Sequence, residues 1–273
     1  MDMKVSAIVP VFNAIETLER AVDSLLIQPE ISEVILIDDG SRDGSLELCQ
    51  KLAQKNSIIC VFQHPNGENK GAPASRNLGL KKSNYPWIQF MDADDELLAG
   101  KIGSQLQKAS PDVPFIVGKF DSEGKEIAIF KDVWAGLLAT RLGNTSSNLW
   151  NSHWVQKVGG WDESLLNVQE YHLMFELLKI NEDVKFSDPV LVHKFPQKNS
   201  ITNSKNNLLK KRDTYFQFRN KVREFLKENG KYTFIRKHYY TVCTGKMLKY
   251  HRPDFKVPLN KFYFLVYNRL KLS

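Results

Sequence analysis

At 273 residues, the chain is long enough to bury the core of one large domain or of two modest ones. It has no stretch of ~20 consecutive apolar residues, no basic and apolar leader at its start, and three scattered cysteines without metal-type spacing, so the sequence predicts a cytoplasmic protein. The net charge of +7 is unevenly spread, because residues 203–273 carry 18 Lys and Arg against 4 Asp and Glu, whereas residues 1–202 are acidic in balance.

The first hundred residues alternate between strand and helix patterns. The β-branched run at 5–12 predicts a buried strand. Asn13 and Glu16 then have the spacing of a helix capping box, and apolar residues recur at helical spacing up to about Pro29. Further strands are predicted at 33–37, at 58–62 and from Trp87, with helices over 46–53 and 72–80. This alternation predicts an α/β fold with a largely parallel sheet, in which ligands bind at the carboxyl ends of the strands.

Two acidic clusters fall at such strand ends. Asp38 and Asp39 follow the second predicted strand, and Asp92, Asp94 and Asp95 follow the strand that starts at Trp87. Carboxylates this close together raise one another's pKa or recruit a cation. Two interpretations of the second cluster stay open, a divalent metal site and a polar loop that caps a helix.

Common nucleotide-binding fingerprints are missing from the sequence. Pro10-Val11-Phe12-Asn13 stands where a dinucleotide fold would have its glycine-rich turn, and no phosphate-binding P-loop motif occurs, which disfavours dehydrogenases and P-loop enzymes. The turn-rich loop at 64–71 leads into a helix that carries Arg76, and such a loop can offer backbone N–H groups and a guanidinium to phosphate.

The middle of the chain gives fewer signals. A strand is predicted at 113–117 and a hairpin turn at 121–124, without site residues up to Arg141. Gln169 and Glu170 open an apolar-periodic helix that runs to 180. Glu170 is either a catalytic carboxylate or simply a favourable charge at the positive end of the helix dipole.

Residues 203–273 predict three helices that are basic and rich in aromatic side chains. Apolar residues recur at helical spacing over 208–225 and 235–250, and Pro258 can begin a third helix. Such helices suit the anionic inner face of a cell membrane, and they can equally pack on the preceding domain; the two interpretations are compatible. Nucleic-acid binding is not expected, because no nucleic-acid module accompanies the charge.

Taken together, four stretches resemble the family 2 glycosyltransferases, which are inverting enzymes with the GT-A fold. In the family's order they are SAIVPVFNAIETLERAVDSLL, VILIDDGSRDGS, NKGAPASRNLGL with WIQFMDADDELL, and VGGWDESLLNVQEYHLMFELL. The resemblance implies an α/β GT-A catalytic domain over residues 1–202, Rossmann-like with a mostly parallel sheet flanked by helices. A basic, mainly helical C-terminal extension follows over 203–273.

The resemblance also implies roles at the donor site. Asp92 and Asp94 form the D-x-D pair, with Asp94 as the direct ligand of Mn²⁺ or Mg²⁺, Asp92 reaching toward ribose or metal water, and Asp95 in support. The metal neutralises the charge that grows on the departing diphosphate. The remaining donor-site residues line the nucleotide pocket (Pro10, Phe12, Asn13), contact the base or ribose (Asp39) and lie near the nucleotide (Arg76).

Two positions depart from the family pattern. The catalytic base is the aspartate of a Glu-Asp pair in the family, and the pair here reads Gln169-Glu170, which leaves Glu170 as the base and His172 as a substitute or a plain surface histidine. Where many members have Arg-x-His, this chain has Lys194 nearest the arginine. His193 either faces the diphosphate or the metal, or packs under the sheet.

The predicted function is therefore inverting transfer of a sugar from a nucleoside diphosphate sugar to the hydroxyl of a sugar or lipid-linked acceptor, in bacterial polysaccharide or lipopolysaccharide synthesis. Two alternatives stay open. A sugar nucleotidyltransferase shares the sheet and the acidic metal site but needs a glycine-rich loop after the first strand. A non-catalytic carbohydrate- or membrane-binding relative would explain the altered Gln169-Glu170 pair.

Overall fold

The computed structural model describes residues 3–195, 208–251 and 258–271. Within these, the chain forms two compact units. The described residues of Met1–Ala128, Gly143–Leu165 and Glu176–Pro196 make up the first, and those of Ile129–Leu142, Leu166–Phe175 and Gln197–Ser273 make up the second. The predicted domain boundary at residue 202 lies outside the described residues. The second unit also takes in two segments that we predicted in the catalytic domain.

The first unit is built from strands that alternate with helices. Its elements up to residue 126 are β1 (Val5–Val11), α1 (Leu18–Leu26), β2 (Ile31–Asp38), α2 (Ser45–Lys55), β3 (Ile59–Gln63), a short 3₁₀ turn (Pro65–Gly67), α3 (Ala72–Lys82), β4 (Trp87–Phe90), β5 (Glu96–Leu97), α4 (Lys101–Leu106), β6 (Phe115–Ser122) and β7 (Lys125–Glu126). The chain continues through α5 (Val133–Ala139), β8 (Leu149–Asn151), α6 (Ser152–Lys157), α7 (Gln169–Ile180) and β9 (Lys185–Lys194). The predicted hairpin turn is confirmed between β6 and β7, where Glu123 and Gly124 both have positive φ.

The sheet is mixed and has a parallel half. Its strand order is β3-β2-β1-β4-β8-β6-β9-β5, with β7 paired to β6. The four strands β3, β2, β1 and β4 are mutually parallel, whereas β8 runs antiparallel to both of its neighbours. The carboxyl ends of β1, β2 and β4 therefore meet at one edge, as the sequence predicted.

Burial explains why the first strand reads as a continuous apolar run. Val5, Ala7, Val9 and Val11 are fully buried on one side of β1, in a cluster that includes the buried stripe of α1. Ile8 is also fully buried. A parallel strand covered on both faces has no solvent side, so it needs no polar alternation.

The predicted capping box at Asn13 and Glu16 is wrong. Helix α1 begins at Leu18, and its N-cap is Thr17. Asn13 lies in the left-handed region at φ 49°, its Oδ1 accepts from the backbone N–H of Arg42, and its own N–H donates to Ser41 Oγ. These bonds to the loop after β2 replace the predicted cap, because they satisfy the side-chain oxygen and the backbone N–H of Asn13 that a capping box would use.

Lys101 is buried inside the first unit without a carboxylate partner among the described residues. Its side chain is 2% exposed, and Nζ donates to the side-chain oxygen of Gln89 and to the carbonyl of Asn148. Burial therefore pushes the pKa of Lys101 well below its usual range. A neutral amine can still donate to both oxygens, so the network survives deprotonation.

This buried amine predicts a pH signature in stability. The unfolded state binds the Lys101 proton up to a pKa of about 10.4, while the folded state releases it at a lower pH, so the stability of the wild type rises with pH across that window. Lys101→Met should lack this contribution. Urea unfolding of both proteins between pH 7 and pH 10 should show that the free energy of unfolding of the wild type rises relative to that of the variant, by up to about 1.4 kcal/mol per pH unit. Parallel curves would contradict the assignment.

The second unit has an aromatic core. Beside the segments with α5 and the start of α7 it contains α8 (Leu208–Glu228), α9 (Phe234–His251) and α10 (Pro258–Lys271), which confirms the three predicted tail helices. Trp134 of α5 lies 5.3 Å from Phe225, and Phe175 of α7 lies 6.2 Å from Phe218, between ring centroids. The apolar stripe of α8 thus packs on the two inserted segments. Within the described residues, none of the helices combines the length and the apolar character that a bilayer crossing needs.

Candidate functional site

The acidic loop directly follows β4 at the carboxyl edge of the parallel strands. Met91 continues the strand by donating its N–H to the carbonyl of Ile8 in β1. The chain then turns, and the N–H of Asp95 donates to the carbonyl of Asp92 at 3.1 Å. The predicted placement of both acidic clusters at strand ends is confirmed, because Asp38 ends β2, on the other side of β1, and Asp39 follows it.

Asp92, Asp94 and Asp95 converge in space. One carboxylate oxygen from each of them lies within 4.8 Å of the others. Asp95 is fully buried, and Asp92 and Asp94 are half-buried. Arg20 of α1 fixes the loop from outside, since its Nη2 donates to the carbonyl of Asp94 at 2.9 Å.

Two cations from other elements join the acids. Arg76 of α3 donates from Nη2 to Asp92 Oδ1 at 2.6 Å, and its guanidinium stacks over the Trp161 ring at 4.5 Å. Lys194, the last residue of β9, places Nζ at 3.7 Å from both Asp92 Oδ2 and Asp95 Oδ1. Of the residues predicted at the donor site, the structure therefore brings Arg76, Asp92, Asp94 and Lys194 together.

The three acids differ in their ionisation. Burial alone would raise the pKa of Asp92, but Arg76 and Lys194 together hold it below its usual value. Burial and the charge of Asp92 raise the pKa of Asp94. Burial, opposed by Lys194 and reinforced by the two neighbouring acids, raises the pKa of Asp95 to about 7. If all three were ionised, the carboxylates would carry one more charge than Arg76 and Lys194 offset.

The donor set fits a hard divalent cation. Mg²⁺ and Mn²⁺ bind carboxylate oxygens, and three of them converge here. Asp95 Oδ1 is buried without a hydrogen-bond donor among the described residues and has the Lys194 ammonium 3.7 Å away, so a bound cation would supply the direct partner that this oxygen lacks. Asp92 and Asp94 are more accessible than Asp95, and their role as the D-x-D metal ligands stays a prediction.

The residues predicted around the nucleotide lie at the ends of β1 and β2. Phe12 is exposed beyond β1, and Pro10 pairs with Ile37 inside the sheet. Asp39 uses both carboxylate oxygens on backbone N–H groups at the start of α3, from Lys70 at 2.8 Å and from Gly71 at 2.9 Å. Asp39 therefore anchors the loop that leads to Arg76, a contact that the sequence did not indicate.

His193 has a partner within the sheet. Its Nδ1 contacts Asp121 Oδ2 across the parallel pairing of β9 with β6. Because successive strand residues point to opposite faces, His193 and Lys194 do not share a direction. Lys194 joins the acidic cluster, whereas a role of His193 toward diphosphate or metal stays a prediction.

Glu170 belongs to the first turn of α7, within the second unit. Burial raises the pKa of Tyr171, and the negative charge of Glu170 raises it further. Val168, two residues earlier, has φ 63°, and such a conformation costs a β-branched residue about 1–3 kcal/mol and is concentrated at functional sites. His172 Nε2 lies 3.2 Å from Lys221 Nζ, so its lone pair already accepts a hydrogen bond.

Comparison with known proteins gives one family model and several relatives. The model described as glycosyl transferase family 2 matches residues 6–154. A cholesterol galactosyltransferase of Borreliella burgdorferi is 37% identical over 115 residues, which are 42% of this chain and 31% of that protein. A GalNAc(5)-diNAcBac-PP-undecaprenol beta-1,3-glucosyltransferase of Campylobacter jejuni is 34% identical over 116 residues, 42% of this chain and 37% of that protein. The matches thus span well under half of these relatives.

Solved structures share the fold at low sequence identity. S. aureus TarS 1-349 in complex with UDP-GlcNAc has a TM-score of 0.68 at 16% identity, covering 92% of this chain and 74% of that chain. The mannosyltransferase PcManGT from Pyrobaculum calidifontis, in complex with GDP-Man and Mn²⁺, has a TM-score of 0.64 at 14% identity, covering 99% and 81%. The predicted GT-A fold class is confirmed by this likeness.

Proposed function

We propose a reaction that follows from the family of this chain: it belongs to glycosyl transferase family 2, whose model matches more than half of its length. The proposed reaction moves a sugar from a nucleoside diphosphate sugar to an acceptor hydroxyl, with inversion and with a divalent metal. One observation carries it: three carboxylates and two cations meet at the carboxyl edge of the parallel strands, beside the end of β1. Ligands of open α/β sheets bind at that edge.

The donor's charges match the groups that meet there. Asp94 and Asp92 would hold Mn²⁺ or Mg²⁺, which supplies charge neutralisation for the leaving diphosphate. Lys194 is already 3.7 Å from two of the acids, and an ammonium at that place can bind diphosphate oxygens when a metal takes over the carboxylates. We assign the pocket around the nucleotide to Pro10, Phe12, Asn13, Asp39 and Arg76, as the family motif implies.

We assign to Glu170 the role of the base that takes the proton of the acceptor hydroxyl. Inverting transfer needs one base that takes the hydroxyl proton during in-line attack. Glu170 offers a carboxylate at the family's base position, and its half-buried place two residues after the strained Val168 supports a functional role. The C–O bond to the acceptor forms as the bond to the diphosphate breaks, and the proton passes to Glu170.

The relatives' names suggest the acceptor class. One acts on an undecaprenol-linked oligosaccharide and another on cholesterol, by their descriptions, and a third is a succinoglycan biosynthesis protein of Rhizobium meliloti. We propose a lipid-linked or glycan acceptor in bacterial surface-polysaccharide synthesis. An acceptor of this kind would be reached from a membrane surface.

Helix α10 provides a surface for such docking. Phe262, Leu265 and Val266 share one face at helical spacing and are 67%, 39% and 41% exposed, while Phe264 on another face is 4% exposed. Neither α9 nor α10 contains Asp or Glu, and Arg269 continues the exposed face. Apolar side chains framed by bases fit an anionic lipid surface, at which each Lys or Arg contributes about 1 kcal/mol.

Acidic substitutions on this face should release the protein from lipid. Phe262→Asp with Val266→Asp should weaken binding to vesicles containing phosphatidylglycerol by about tenfold or more, because burying one large apolar side chain contributes about 1.5–3 kcal/mol. Co-sedimentation measures this, with Ile27→Asp as the matched control, since Ile27 is 57% exposed in the first unit. Equal loss in the control, or none in the double variant, would contradict a lipid surface. A second copy of the chain on this face would appear instead as a dimer that the double variant splits.

The donor assignment is tested by ligand-dependent stability. A ligand that binds only the native state raises the melting temperature. A screen of nucleoside diphosphates and nucleotide sugars should find at least one base that stabilises the full chain with Mn²⁺ and loses this effect with EDTA. A screen in which no nucleotide shifts the melting temperature would count against the proposed donor.

A further inference from the structure

A buried polar segment underlies the acidic cluster. Asn144, Thr145, Ser146, Ser147 and Asn148 follow one another without an apolar residue, and all are at most 9% exposed. Burying polar groups costs free energy unless each finds a hydrogen-bond partner. The partners of this segment therefore show what it holds in place.

Ser146 contacts two of the three acidic residues. Its hydroxyl donates to Asp95 Oδ2 at 2.6 Å and accepts from the backbone N–H of Asp92 at 3.2 Å. Because the N–H can only donate, the single hydroxyl proton is directed to Asp95. Asp95 Oδ1 is then the oxygen that faces the Lys194 ammonium, together with Asp92 Oδ2.

A second layer fixes Ser146 from behind. Its carbonyl accepts from Gln89 Nε2 at 2.8 Å, and the same nitrogen donates to the carbonyl of Phe90. The side-chain oxygen of Gln89 accepts from the buried Lys101. A continuous set of hydrogen bonds thus runs from Lys101 through Gln89 and Ser146 to Asp95, entirely within the first unit.

We propose that Ser146 is a positioning residue of the metal site, which orients Asp95 so that one of its oxygens completes the cation site of Asp92 and Asp94. This inference rests on the proposed metal dependence. A hydrogen bond to a carboxylate near a metal fixes its orientation, and removing such a partner typically weakens metal binding by about 10–100-fold.

The test compares two neighbouring buried serines. Ser146→Ala removes the bond to Asp95, whereas Ser147→Ala removes bonds only to Asn144 and Asn148, and both wild-type side chains are fully buried. Free Mn²⁺, measured by electron paramagnetic resonance at a fixed nucleoside diphosphate concentration, gives the affinity, and thermal melting reports the general cost of each change. We expect Ser146→Ala to weaken Mn²⁺ binding about tenfold or more and Ser147→Ala to stay within about twofold of the wild type.

The outcomes separate this role from the proposed function. If the wild type and Ser146→Ala bind Mn²⁺ with equal affinity, the role of Ser146 is overturned and the metal site stands. The same follows if Ser147→Ala loses as much Mn²⁺ affinity as Ser146→Ala. A wild type that binds no Mn²⁺ would overturn both. Should Ser146→Ala not fold, Ser146→Cys keeps the shape with a weaker donor and should bind Mn²⁺ less tightly than the wild type.

Discussion

Replacing Asp94 with asparagine should abolish sugar transfer and Mn²⁺-dependent donor binding while the fold stays intact. Asp94 is the half-buried carboxylate that our account makes the direct metal ligand, and an amide cannot supply its charge. Transfer should fall by at least about a thousandfold, because a catalytic metal contributes several kcal/mol of charge stabilisation. Product formation from a nucleotide sugar, with Mn²⁺ binding measured in parallel, checks both effects.

The fold of this variant should be as stable as the wild type or more so. Burial and the charge of Asp92 raise the pKa of Asp94, so the ionised side chain is unfavourable in the folded protein without a metal. Asparagine removes this repulsion at nearly constant shape. Asp23→Asn is the matched control, since Asp23 is exposed on α1 and is not one of the three converging acids, and it should transfer sugar at the wild-type rate. Undiminished turnover in Asp94→Asn would sink the metal assignment.

Replacing Glu170 with glutamine should separate chemistry from donor binding. The proposed base acts only on the acceptor's proton, so donor affinity and the Mn²⁺ requirement should match the wild type. The turnover number should fall about 10²–10⁴-fold, the usual contribution of a general base. Acceptor-dependent kinetics measure the turnover, and isothermal titration of a nucleoside diphosphate measures the donor side.

His172→Gln is the companion variant for this experiment. His172 is the other candidate base, but its Nε2 already accepts from Lys221, so its replacement should leave turnover within a few-fold of the wild type. If instead His172→Gln loses transfer and Glu170→Gln keeps it, the base is His172. Loss of donor affinity in Glu170→Gln would mean that Glu170 supports the structure of the donor site rather than the proton transfer.

Local patterns predicted the elements well because each depends on few neighbours. Strand β1 is apolar along its length because both of its faces are buried, and α1 has apolar residues at helical spacing because one of its faces is buried. The tail helices were predicted from the same helical spacing. The capping box at Asn13 failed for the opposite reason. Its polar groups are satisfied by Ser41 and Arg42, 28 and 29 residues away, and residue spacing does not reveal a partner in a distant loop.

The part of the site that lies within one short motif could be predicted from the sequence, whereas the part assembled from distant segments could not. Asp92 and Asp94 stand in one short run, so the cluster was visible in the sequence. Ser146 was missed because its partners Asp92 and Asp95 lie 54 and 51 residues away. The signal that could have found it is the polar run from 144 to 148, which is buried although composition alone would place it at the surface.

The extent of the second unit was also beyond sequence reasoning. Trp134 and Phe175 stand in segments that we assigned to the catalytic domain, yet their rings pack against Phe225 of α8. Apolar periodicity shows that a helix has a face to bury, but it does not say which partner covers that face.

The most direct test of the account is the identity of the leaving group. The full chain, incubated with a panel of uridine and guanosine diphosphate sugars and Mn²⁺, should release nucleoside diphosphate from at least one of them, detected by chromatography and phosphorus NMR. EDTA and Asp94→Asn should each suppress this release. Pyrophosphate released from a nucleoside triphosphate and a sugar phosphate, or turnover of none of the nucleotide sugars, would contradict a glycosyltransferase.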